Sequence, residues 1–206
     1  MEENIKKSKD QFIKFANSCN AFKNDLGMVF NLECEENIKV IDVMAGLDNV
    51  VVRDSGIRGV SFRYQTSSWN NPNFTVRRLT DNGNFNTELK KRSFAILNYD
   101  KGYLFPWFTV QYWPNKNVAL LARTVDVILD TVYSVNVFDA TNPTTNIEER
   151  TQQNGKFSYT TSDKFVRKYT YENGLWLVSG VSLEYLNSPL ALQESEIKIL
   201  EKFSNR

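Results

Sequence analysis

The chain runs to 206 residues, with 25 Lys and Arg against 24 Asp and Glu, 41% hydrophobic and 13% aromatic residues, and no histidine. That size and mixture suit one soluble globular domain with a continuous core, neither a disordered chain nor a disulfide scaffold. The missing imidazole excludes Ser-His-Asp and Cys-His nucleophile sites, His-based zinc sites and His-dependent nucleases.

Residues 4–23 predict a helix: Ile5, Phe12, Ile13, Phe15, Ala16, Cys19 and Phe22 recur at three- and four-residue spacings, and Gly27 stands where a helix would stop. The start of the chain is acidic and then basic, with no apolar run behind it. No stretch approaches the roughly 20 apolar residues that cross a bilayer, so a cytoplasmic protein away from membranes is expected. Cys19 and Cys34 lack the spacing of a metal knuckle and read as reduced cysteines in or near a core.

After an acidic turn at Glu33, Glu35 and Glu36, short runs rich in Val, Ile, Phe, Tyr and Thr predict strands at 38–43, 49–53, 59–65 and 74–79. The separators carry turn residues, so these segments read as a meander of three or four strands. Residues 86–96 return to helical texture, with Asn84 or Asn86 as cap and Leu89, Phe94 and Leu97 as the inward face. Strands at 108–113 and 118–124 follow, then a helix at 126–135 and a polar loop at 141–154. Segments 156–159, 165–171 and 175–181 read as strands, or as a strand and a helix; periodicity does not decide. Ser188 as cap, with Pro189 in the first helical position, opens a last helix whose apolar face is Ile197, Leu200 and Phe203.

This order predicts an α/β fold, a mixed central sheet flanked by helices, as one domain over 1–206. Residues 1–135 form its core and 142–206 complete it.

The near-neutral total conceals segregation. Between Val50 and Arg123, eleven cations meet only Asp54, Asp81, Glu88 and Asp100. Arg outnumbers Lys there, and its planar fork suits phosphate oxygens and base edges. Arg53, Arg63, Arg77 and Arg78 are interleaved with Phe62, Tyr64, Trp69 and Phe74. Alternation along a strand puts Arg63 and Gln65 on one face and Phe62 and Tyr64 on the other. These arginines are candidate nucleic-acid contacts, as is Trp69 in a polar loop; most other aromatics are accounted for as core. No Gly-rich phosphate loop is present, which leaves NTPase and dinucleotide readings without support.

Gly46-Leu47-Asp48, followed on the next predicted strand by Ser61-x-Arg63 and Arg63-x-Gln65, resembles the PD-(D/E)XK, or restriction-endonuclease-like, superfamily over roughly residues 4–135. That resemblance implies a DNA-acting protein that cleaves phosphodiesters with Mg²⁺. Asp48 would hold the metal with a second carboxylate, Glu88 of Glu88-x-Lys90, while Gln65 or Lys90 would orient water. Arg63 stands where the family carries its metal-binding acid. The same scaffold therefore also suits a non-catalytic DNA-binding or defence-related accessory module. The aromatic surplus suits a protein–protein adaptor or association with a second copy.

Overall fold

The computed structural model describes residues 2–27, 49–53, 56–65, 72, 74–77, 87–141, 158–160 and 163–204. In chain order these form helices α1 (Glu2–Ser18) and α2 (Asn20–Leu26), then strands β1 (Asn49–Arg53), β2 (Gly56–Tyr64) and β3 (Thr75–Arg77). Helix α3 (Thr87–Leu97), strands β4 (Phe108–Trp113) and β5 (Val118–Arg123) and helix α4 (Thr124–Thr141) follow. Strands β6 (Ser158–Thr160), β7 (Arg167–Glu172) and β8 (Leu175–Gly180) and helices α5 (Leu183–Asn187) and α6 (Glu194–Ser204) complete the order. The fold is mixed α/β, as the sequence predicts. Contacts gather the chain into two compact units: Met1–Pro72 with Pro106–Thr124 and Asp163–Ser188, and Asn73–Phe105 with Val125–Ser162 and Pro189–Arg206.

The first unit holds a six-stranded sheet in the order β1-β2-β4-β5-β7-β8. Strands β2 and β4 are parallel and every other neighbouring pair is antiparallel. The expected meander is therefore replaced after its first hairpin. The chain leaves β2 and returns beside it as β4, and β3 instead pairs with β6 in the second unit. The expected strand at 38–43 lies outside the described residues.

The single helix expected over 4–23 breaks at Cys19, whose φ of −111° and ψ of 87° are not helical, and resumes as α2. Phe12, Phe15, Ala16, Cys19, Phe22 and Leu26 are all buried, so the two pieces share one apolar stripe. Phe12 meets Phe62 of β2 at 4.4 Å between ring centroids, Phe15 stacks on Tyr112 of β4 at 4.8 Å, and Phe22 meets Tyr169 of β7 edge-on at 5.4 Å. Gly27 then stops α2 in the left-handed region, at φ 63°.

One polar cluster pins this layer. Asp25 accepts from Arg167 Nε at 2.6 Å and from the Tyr169 hydroxyl at 2.7 Å, both on the same oxygen. Arg167 also donates to the Val181 carbonyl at 2.9 Å. Tyr169 is fully buried, and that burial together with its bond to Asp25 holds its hydroxyl protonated well above the ordinary tyrosine range. Burial likewise raises the Tyr112 hydroxyl and the Cys19 thiol, which is free and lies in the core.

The open choice at 165–181 resolves into two strands. Asn173 and Gly174, at φ 51° and 84°, make the tight turn between β7 and β8, both in the region that a type I′ hairpin demands. Gly180 ends β8 at φ 88°, where a Cβ would run into the Val166 carbonyl oxygen.

In the second unit α3 packs along α6. The buried positions of α3 are Leu89, Arg92, Ser93, Ala95 and Ile96; of the expected trio Leu89 is inward and Leu97 half-buried, while Phe94 is 42% exposed. Positions 89, 92, 93 and 96 make a tighter helical stripe than 89, 94 and 97, at the cost of burying an arginine and a serine. From α6, Ile199, Leu200 and Phe203 are buried. This helix begins at Glu194 and not at Pro189. The Ser188 hydroxyl donates to Tyr185 O at 2.7 Å and so closes α5, which Ser182 caps. The Glu196 carboxylate accepts from the Gln193 backbone N–H at 2.8 Å, which satisfies an amide at the true start of α6. Among the described residues no helix is long and apolar enough to cross a membrane.

Asp25→Ala should lower unfolding stability by about 3 kcal/mol in a urea titration, because it strands a largely buried guanidinium and a buried phenol at once. Tyr169 binds its proton more tightly folded than unfolded. Its contribution is therefore complete below the ordinary tyrosine value of about 10 and falls as pH rises beyond it. Stability measured from about pH 9 to about pH 11 should decline less steeply in Tyr169→Phe than in the parent chain.

Candidate nucleic-acid interface

Because side chains alternate along a strand, the contacts of α1 and α2 with Phe62, Tyr112 and Tyr169 assign one sheet face to the helices. The other face carries Ser61 and Arg63 from β2, Thr109 and Gln111 from β4, Leu120 and Ala122 from β5, and Lys168 and Thr170 from β7. Register aligns these residues in rows. Arg63 lies opposite Gln111, Gln111 opposite Leu120, Leu120 opposite Lys168 and Lys168 opposite Ser179. That row holds two cations and no acid. Three strand spacings separate Arg63 from Lys168, about 14 Å between Cα atoms.

The middle of this face is buried although it is polar. Gln111 is 1% exposed, and Ser61 and Thr109 are buried with it. Thr109 and Thr124 share a hydroxyl hydrogen bond of 2.7 Å, and the Thr124 N–H donates to Trp107 O at 2.9 Å, which fixes the end of β5 against the start of β4. Arg63 is half-buried at the margin of the row. Just beyond it, Gln65 donates its backbone N–H to Tyr112 O at 2.9 Å, prolonging the β2–β4 ladder by one bond. The sequence expectation that Arg63 and Gln65 share a face opposite Phe62 holds in the strand geometry. Gln111 and Lys168 are not among the expected contacts, although the polar alternation Thr109-x-Gln111 inside an apolar strand is a usable signal.

Of the remaining predicted site residues the structure describes little. Asp48, Trp69 and Arg78 lie outside the described residues. Arg53 and Arg77 are placed as backbone positions of β1 and β3, and Glu88 as a position of α3; their side chains also lie outside the description. Lys90 is half-buried on α3. Arg53, Arg63 and Gln65 belong to the first unit, and Arg77, Glu88 and Lys90 to the second.

Part of the basic surplus is used internally. The Arg58 guanidinium sits 3.8 Å from the Trp107 ring centre. Arg123 donates to Ser188 Oγ at 2.6 Å and covers the Tyr185 ring at 4.6 Å, while Arg92 is buried. Such guanidinium–ring contacts make these arginines packing elements of their own units.

Among the described residues no three His, Cys, Asp or Glu side chains gather into a metal-holding group. At the sheet position where the resemblance calls for a metal-binding acid the chain has Arg63, whose charge would repel Mg²⁺. The two carboxylates expected to hold that ion, Asp48 and Glu88, lie outside the described side chains. The second unit contains a cavity of about 510 Å³, lined by Phe94, Tyr99, Asp100, Lys101, Ile197 and Glu201 among others, none of them an expected site residue. Comparison of the chain with protein-family models, with curated proteins and with solved structures gives no match.

The hydroxyl pair is testable by a double-mutant cycle. Thr109→Val and Thr124→Val should each cost about 1–2 kcal/mol by leaving a buried hydroxyl without its partner, and the double variant clearly less than their sum. Urea unfolding of the four proteins measures it.

Proposed function

We propose that the chain is a DNA-binding protein on a restriction-endonuclease-like core, which contacts the phosphate backbone through Arg63 and acts without hydrolysis through the residues described. Part of the element order supports this reading: helices α1 and α2, an antiparallel β1–β2 hairpin and, after β3 and α3, β4 laid parallel beside β2. The observation that carries it is the position of Arg63. It stands half-buried on the sheet face away from α1, in a cross-strand row that also holds a second cation, Lys168.

Binding is favoured over cutting for the same reason. A guanidinium in the place of the metal-binding carboxylate favours an anion there and opposes a divalent cation. Cleavage would instead draw on Asp48 with Glu88 and Mg²⁺.

Gel-shift titrations with plasmid and single-stranded DNA, with Mg²⁺ and with chelator, test the proposal. Affinity should fall steeply as salt rises, and Arg63→Ala should reduce the slope of log K against log salt by about 0.9 on duplex DNA. Unchanged mobility of both nucleic acids at low salt would refute the proposal. A Mg²⁺-dependent cleavage product lost in Asp48→Ala would restore the nuclease reading.

A further inference from the structure

Strand β8 ends the sheet order, and among the described residues no strand pairs with its outer edge. The Val181 N–H bonds the Val166 carbonyl at 3.1 Å, and this sets the phase of the β7–β8 ladder. Leu175, Leu177 and Ser179 direct their backbone groups toward β7, while Trp176 and Val178 direct theirs outward. The side chains are open on both faces: Leu175 is 67% exposed, Leu177 50% and Val178 38%. From Asn173 to Ser182 there is no charge and no proline, the two devices by which sheet edges ordinarily resist pairing.

We infer that β8 is a homodimer seam, pairing antiparallel with β8 of a second copy about a two-fold axis at Leu177. Charge selects this occupant and this direction. The β7–β8 hairpin is acidic at its turn, where Glu172 lies beside Leu175, and basic at its open end, where Lys168 lies beside Ser179. Antiparallel pairing centred on Leu177 sets Leu175 of one copy opposite Ser179 of the other. Each Glu172 then shares a row with the other copy's Lys168, three strand spacings or about 14 Å away, and long side chains shorten that gap. Parallel pairing would put like charges side by side.

The same register satisfies the backbone. Trp176 of each copy faces Val178 of the other as a hydrogen-bonded pair, and both residues are among those whose amides and carbonyls point outward. Leu177 meets its symmetry mate in the close, non-hydrogen-bonded arrangement, where Cα atoms lie about 4.5 Å apart, within the span of a disulfide. The interface is isologous and closes on itself, so assembly stops at two.

Sedimentation of the full chain across a concentration series tests this inference. The parent protein should reach twice its chain mass. Leu177→Lys, which sets two ammonium groups face to face at the axis, should remain monomeric with an unchanged circular dichroism spectrum, since the side chain it replaces is half exposed. Lys168→Glu should weaken the dimer about threefold at low salt and less at high salt, and adding Glu172→Lys should restore it. Under mild oxidation Leu177→Cys should give a covalent dimer that the parent chain does not form. A parent chain that stays monomeric at 100-fold dilution steps up to high concentration, an open-ended series of larger species, or a dimer indifferent to Leu177→Lys would each overturn the inference.

Discussion

A single carboxylate oxygen joins parts of the chain that are far apart in sequence. Asp25 on α2 receives both Arg167 and Tyr169 of β7, so the N-terminal helices and a late strand of the sheet share one polar anchor. The aromatic layer of Phe12, Phe15 and Phe22 supplies burial without direction, because apolar contact tolerates sliding. The Asp25 bonds supply the direction: they require a fixed rotation of α2 and a fixed register of β7, or a buried charge goes unmatched. The faces of the sheet, and hence the side on which Arg63 and Lys168 stand, follow from that constraint.

The electrostatics of the first unit are more internal than its composition suggests. Arg58, Arg123 and Arg167 are each occupied by a ring, a hydroxyl or a carboxylate of their own unit. A run of cations in a sequence is thus a poor measure of surface potential, because guanidinium groups have flat faces and long stems that pack well. Arg63 differs in place: it shares its cross-strand row with a second cation, Lys168.

Much of the fold was legible because the physical periods were clean. The stripe from Phe12 to Leu26, the alternation in β4, the short apolar run of β5 and the stop at Gly27 all state their structure locally. The start of α6 was misread because Ser-Pro is a good helix opening in isolation, whereas here Ser188 is already engaged in closing α5. The inward face of α3 was misread because Arg92 and Ser93 occupy positions where apolar residues are the usual choice. The departure of β3 to pair with β6 had no local signal, since a strand's partner is a non-local fact. The candidate site was legible in part for the same reason: alternation gave the shared face of Arg63 and Gln65, but only cross-strand register adds Gln111 and Lys168.

The parallel pairing of β2 with β4 has a kinetic corollary. Antiparallel neighbours such as β4–β5 and β7–β8 are joined by short connections and gain their ladders early. Joining β2 to β4 instead requires the ends of the long excursion from Gln65 to Trp107 to meet before any ladder bond is gained, an entropic toll that rises with the length of the detour. The β5–β7 seam, whose excursion through residues 124–166 is as long, bears the same toll; until both seams close, the three hairpins present raw edges to other unfinished chains.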